Sequence, residues 1–136
     1  ALLTTARDNP FKAIDMVKAV SHSARAPKPA YPGPGAWVPG GFRALMRRVH
    51  TAQHDTNLFH HDFTLCDAYA NGMQAAAQVR CPATLILGER DQMTTPRQTR
   101  EIAQALKARV INVSAGHDLM AEAPEQVLAA LREVLA

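Results

Sequence analysis

Apolar and polar residues follow two different rhythms along this chain, and the change falls near residue 80. Before it, apolar positions recur every three or four residues, the period of a helix with one inward face. In "DNPFKAIDMVKAVSHSA", Phe11, Ile14, Val17 and Val20 keep that spacing. Asn9 stands at an N-cap position and Pro10 at the first helical one, so a helix is predicted to about Ser23. Phe42, Leu45, Met46 and Val49 repeat the pattern to about Gln53, with Arg43, Arg47 and Arg48 mostly on the opposite face. A further helical region is predicted over roughly 55–79, with a break at Asn71-Gly72. Residues 25–41 hold five prolines and four glycines, a density that neither a helix nor a central strand tolerates, so a long loop is predicted there.

After Cys81-Pro82 the rhythm changes. Ala83 to Leu87 reads as a strand, Pro96 to Lys107 as a helix with Ile102, Ala103 and Leu106 inward, and Val110 to Val113 as a second strand. Ser114 to His117 forms a turn, and Pro124 to Leu135 a last helix whose apolar positions are Val127, Leu128, Leu131, Val134 and Leu135. Strand, helix, strand at this spacing is a βαβ unit, with parallel strands joined by a right-handed crossover. Both strand ends then face one way. Asp91 follows the first strand and His117 the second, so the two side chains converge on one rim of the sheet, where ligands collect in such folds. Ala1 to Thr5, a short apolar run, reads as the tail of a buried strand. No internal repeat is present.

Composition narrows the class without identifying a function. Of 136 residues, 47% are hydrophobic and 20% charged, the mixture of an ordinary folded domain. The net charge of +3 is scattered, and without a concentrated basic stripe nucleic acid is not an expected partner. No run approaches the roughly 20 apolar residues of a membrane span, and the first residues lack a basic region followed by a long apolar one. A cytoplasmic protein with no membrane partner is the expectation. Cys66 and Cys81 lack metal-ligand or redox spacing and are expected to be reduced, small buried hydrophobes. The chain begins with Ala1 rather than methionine and reads as a processed product or an excised piece.

An imidazole beside a carboxylate is the chemistry of a general base held in one tautomer. The carboxylate accepts from one ring nitrogen and stabilises the imidazolium when the other takes a proton. The plain alternative is that Asp91 is a turn residue and His117 one histidine among six. Spacing does not decide between them.

The segment "CPATLILGERDQMTTPRQTREIAQALKARVINVSAGHDLMAEAPEQVLAALREVL" resembles the C-terminal part of an α/β-hydrolase-fold enzyme. It has a proline-led strand, a glycine and two residues before an acid, then a helix, a strand, glycine-histidine, and an E-x-P-E turn into a terminal helix. Gly88-Glu89-Arg90-Asp91 matches the acid turn and Gly116-His117 the histidine turn. The resemblance implies a partial α/β-hydrolase fold: a short parallel sheet of two or three strands with C-terminal helices over 81–136, preceded by a mainly helical cap over 6–80. Residues 1–5 are then the end of a core strand lying beside the strand that begins at Ala83. It implies Asp91 as triad acid and His117 as base, a small apolar ester or related substrate, and neither metal nor organic cofactor. Glu89 shares the acid turn, but the family pattern favours Asp91. Trp37, Phe59 and Phe63 read either as an acyl pocket under the cap or simply as core; Met93 and Met120, next to the two turns, are further pocket candidates.

One part of the pattern is missing. In this fold the order is nucleophile, acid, histidine, with the nucleophile on a G-x-S-x-G elbow. Ser21, Ser23 and Ser114 have no such flanking glycines, and the oxyanion donors that accompany an elbow are missing with it. The expectation is the acid-and-histidine half of a carboxylic ester hydrolase or relative, inactive alone. Its bare strand edge should pair with another copy or leave the chain marginally stable. Two rivals stand beside this. One is a non-catalytic interaction or oligomerising module. The other is metal binding by "VHTAQHDTNLFHHDF", where His50 and His54 share a helix face and Asp55, His60, His61 and Asp62 lie close. The zinc-protease signature requires a glutamate where this chain has Thr51. Asp118 and Glu122 read as helix N-terminal charges, favourable through the helix dipole.

Overall fold

A computed structural model describes residues 1–23, 37–53 and 55–135. The first element, α1 (Leu2–Asp8), is a helix and not the expected strand tail. The Thr5 hydroxyl donates back to the Ala1 carbonyl at 3.1 Å, Ala6 is fully buried, and the Asn57 amide donates to the Ala6 carbonyl at 2.8 Å. Helix α2 (Pro10–Ser21) starts as the sequence predicts, with the Asn9 side chain accepting from the Lys12 N–H at 3.0 Å and Pro10 in the first turn. Its buried residues are Ala13, Ile14, Val17 and Ser21, whereas Phe11 and Val20 are exposed.

Helix α3 (Val38–Ala52) begins earlier than Phe42, because Pro39 suits a first helical turn. Gly40 is packed so closely on Trp37 that a Cβ there would lie 2.3 Å from its indole ring. The end of the predicted loop is thus helical, while its 25–36 portion lies outside the described residues. Arg43 and Arg47 turn toward α2 and hold Asp15, which accepts from Arg43 Nη2 at 3.1 Å and Arg47 Nη2 at 3.4 Å. Helices α4 (Leu58–Ala68) and α5 (Gly72–Gln78) flank the predicted break, and the Asn57 side chain caps α4 by accepting from His60 N–H.

Strands β1 (Thr84–Gly88) and β2 (Arg109–Val113) pair in parallel, from Thr84 opposite Arg109 to Gly88 opposite Val113. Among the described residues the sheet has these two strands, so no segment near the N-terminus lies beside β1. The connection contains α6 (Arg100–Ala105), shorter than predicted; residues 96–99 form a turn instead. Thr95 and Gln98 close that turn reciprocally, Thr95 N–H donating to Gln98 Oε1 at 2.9 Å and Gln98 N–H to Thr95 Oγ1 at 3.3 Å, a capping box. A short α7 (Leu119–Glu122) and then α8 (Pro124–Leu135) complete the chain.

Two cores result. Ala6, Ala13, Ile14, Val17 and Phe59 form one among the helices, with Phe42, Met46, Phe63 and Met93 packed on it. Val113, Ala115, Ala123 and Val127 form the other beneath the sheet, with Ile86 and Leu119. Outside them, much apolar surface is uncovered: α8 buries Val127 and Ala130 but leaves Leu128, Leu131, Val134 and Leu135 exposed. The residues Thr84 to Leu87 of β1 are only partly buried, although parallel strands are ordinarily covered on both faces. Cys66 and Cys81 are free and exposed rather than buried. No described helix is long and apolar enough to cross a membrane.

Candidate active site

The site is built where the two strands end. Gly88 closes β1 against the turn after β2: a Cβ there would lie 2.1 Å from the Gly116 carbonyl oxygen and 2.8 Å from that of Ala115. Only a glycine lets the two backbones approach this closely. The turns are then laced together. Glu89 N–H donates to the Val113 carbonyl at 2.9 Å, Arg90 N–H to Ala115 at 3.0 Å, and the Arg90 guanidinium to the Ser114 carbonyl and hydroxyl.

This lacing brings Asp91 and His117 together, with Oδ2 of the acid 2.9 Å from Nδ1 of the imidazole. Asp91 is buried and fully engaged. Its Oδ1 accepts from the Met93 N–H at 2.7 Å and the Thr94 N–H at 3.0 Å, and its Oδ2 accepts from the Thr94 hydroxyl at 2.8 Å as well as from His117. Burial pushes the Asp91 carboxyl up, but donation from His117, Thr94 and Met93 outweighs it and holds the group below the usual carboxylate range. An ionised Asp91 can only accept, so Nδ1 carries the shared proton, and in the neutral ring the lone pair is on Nε2. The His117 side chain is 38% exposed, and among the described residues its Nε2 has no hydrogen-bond partner. An imidazole so fixed can take a proton from an incoming hydroxyl while the buried carboxylate stabilises the resulting cation.

The other pocket candidates scatter. Met93 bridges the site and the helical core: its backbone supports Asp91, and its sulfur accepts from the Ser21 hydroxyl at 3.3 Å. Met120 is 69% exposed, three residues beyond His117 on α7. Phe59 and Phe63 pack ring against ring at 4.8 Å, Phe59 deep in the helical core and Phe63 at its margin. Trp37 lies at the start of α3, largely exposed, with the Lys18 ammonium 5.8 Å from its ring.

Several neighbours of the site are invisible to sequence periodicity. The Ser21 carbonyl accepts from both His117 N–H at 2.9 Å and Asp118 N–H at 3.1 Å, tying the end of α2 to the histidine turn. Asp118 stands at the N-cap of α7, as the sequence reading has it, and its Oδ2 also lies 3.3 Å from Nε2 of the buried His22, without hydrogen-bond geometry. Glu122, likewise read as a helix N-terminal charge, sits at the end of α7 and is buried among backbone N–H groups. Thr94, three residues after the acid, had the one usable signal, since an aspartate folding back on the next residues is a common turn.

In the histidine-rich stretch, His50 meets Phe11 edge-on at 5.7 Å and His61 lies 3.1 Å from Asp62, while His54 falls outside the described residues. Among the described residues no three His, Cys, Asp or Glu side chains converge on a metal-sized space.

No family model matches the chain, and no curated protein does. Among solved structures it is similar to a thermophilic esterase, at 20% identity and a TM-score of 0.70, over 98% of this chain and 49% of that one. It is also similar to the enol-lactonase from Burkholderia xenovorans LB400, at 25% identity and a TM-score of 0.72, over 98% and 48%. The chain thus spans about half the length of the solved proteins it matches. Both have the α/β-hydrolase fold, and the order of strands, turns and helices over 81–135 agrees with that likeness: this chain has a partial α/β-hydrolase fold.

Proposed function

We propose that this chain supplies the acid and the general base of a triad hydrolase acting on small apolar carboxylic esters or lactones. The 2.9 Å contact between Asp91 and His117 at the ends of two parallel strands carries this reading. Likeness to an esterase and an enol-lactonase supports the substrate class. In the proposed reaction, His117 Nε2 takes the proton of the nucleophile as it adds to the carbonyl, and Asp91 stabilises the imidazolium. The proton then passes to the leaving alkoxide, and a second cycle with water releases the acid. The nucleophile and oxyanion donors come from polypeptide outside these 136 residues, so the chain alone turns over nothing. The helices before β1 serve as a cap, and Met93, after the acid, and Met120, on α7, are the contacts to substrate nearest the base.

Short-chain p-nitrophenyl esters and an aliphatic lactone test this. The isolated chain should show no His117-dependent turnover. The product of the whole reading frame should contain a G-x-S-x-G elbow before Ala1 and lose about 10⁴-fold in turnover on Asp91→Asn, the scale for an orienting acid. Full-length activity untouched by His117→Ala rejects the assignment.

The uncovered apolar row on α8 and the strand edges left unpaired among the described residues favour a second reading, an assembly module without catalysis. Self-association together with an inert full-length product would select it.

A further inference from the structure

We propose that Glu122 is a positioning residue for His117, a carboxylate that fastens the histidine turn to the end of α2; this rests on the acid–base pair described above. Glu122 is 6% exposed, and its two oxygens grip different parts of the molecule. Oε1 accepts from the Gly116 N–H at 3.0 Å, and Oε2 from the Ser23 N–H at 2.9 Å. Three successive backbone donors around the base are therefore engaged: Gly116 by Glu122, and His117 and Asp118 by the Ser21 carbonyl. Both acceptors connect the turn to the C-terminal end of α2, Ser21 being its last residue and Ser23 lying two beyond it. Contact is close on every side, since a Cβ on Gly116 would lie 2.7 Å from Glu122 Oε1 and 2.7 Å from Ser23 N.

A buried carboxylate is an expensive way to fill space, and apolar packing of similar volume is often at least as stabilising. What a carboxylate adds is two charge-assisted bonds from one rigid group to donors on separate elements. The position of the imidazole needs such control. His117 reaches Asp91 through a single bond from Nδ1, and a displacement of about 1 Å breaks that geometry, on the scale that costs about 10²-fold in catalysis. Glu122 makes no contact with Asp91 or the imidazole ring, so it acts through the backbone that carries them.

The test is solvent exchange of the His117 Nδ1 proton, read by NMR on the ¹⁵N-labelled chain. Asp91→Asn should abolish its protection. Glu122→Gln should speed exchange by about tenfold or more, about 1.4 kcal/mol, because an amide can accept from one N–H while its own donors face the other. Val127→Ala, which opens a cavity in the core beside the turn, serves as control; compared at equal global stability, it should leave the proton protected. If Glu122→Gln does not fold, Glu122→Asp takes its place, a carboxylate one methylene shorter that cannot reach both the Gly116 and the Ser23 N–H groups. Wild-type exchange in either Glu122 variant, or equal acceleration in Val127→Ala, overturns the proposal and leaves the acid–base pair intact. Protection that survives Asp91→Asn removes the pair, and Glu122's role with it.

Discussion

Gly88 and Asp91 set the terms at the scale of single residues. Because a Cβ on Gly88 would fall 2.1 Å from a backbone carbonyl, Gly88→Ala must push the two turns apart. A loss of about 1–3 kcal/mol, the scale of overpacking, is expected in urea unfolding. Asp91 makes stability depend on pH in a defined direction. Its folded pKa lies below its unfolded value, so its contribution is present above the unfolded value, about 3.9, and is lost as pH falls through the folded pKa. The stability gap between the wild type and Asp91→Asn should therefore be full at neutral pH and narrow on acidification below about pH 4. An equal gap at both ends contradicts the hydrogen-bonded carboxylate. Asp91 and His117 were legible because each follows a strand, and parallel strands end on one side. Glu122, Ser21 and His22 were not, because the contacts that join the end of α2 to the site link residues 72 to 99 positions apart and no local pattern encodes such contacts.

Helices and strands repeat this division between local and distant causes. Helix α2 was legible from its cap and proline, but not which face it buries. A row spaced at three residues falls about 60° short of a full turn at each step, so Phe11 and Val20 spiral away from the core while Ala13, Ile14, Val17 and Ser21 stay in it. Ala1 to Thr5 was misread because a run of five has no period to measure, and its helix is set by Ala6 against α2 and by Asn57. The cysteines were misplaced because burial was inferred from residue type alone. Between α2 and α3, the Arg43 guanidinium hydrogen-bonded to Asp15 holds that carboxyl below the usual range. The pair is more than one-third exposed, so Asp15→Asn should cost little in chemical denaturation, and less still in high salt. A larger, salt-independent loss contradicts a surface pair.

On the scale of the whole molecule, the chain spans about half the length of the proteins it matches, and its described residues carry a sheet of two strands. An open groove between α6 and β2, lined by Leu87, Ala103, Lys107 and Val110, adds to the uncovered row on α8. Apolar surface and free strand edges drive association. Sedimentation velocity should show concentration-dependent self-association, and Leu131→Glu should weaken it while changing unfolding by no more than about 0.5 kcal/mol. A strictly monomeric wild type with a sharp, high melting transition contradicts this. The proposed chemistry nevertheless depends on two strands placing one acid against one base. The most direct test is the pair of ¹⁵N shifts of the His117 ring in the intact chain at neutral pH. The prediction is a proton on Nδ1 and a bare Nε2, with that preference lost in Asp91→Asn; a ring protonated on Nε2, or a tautomer ratio indifferent to Asp91, contradicts it.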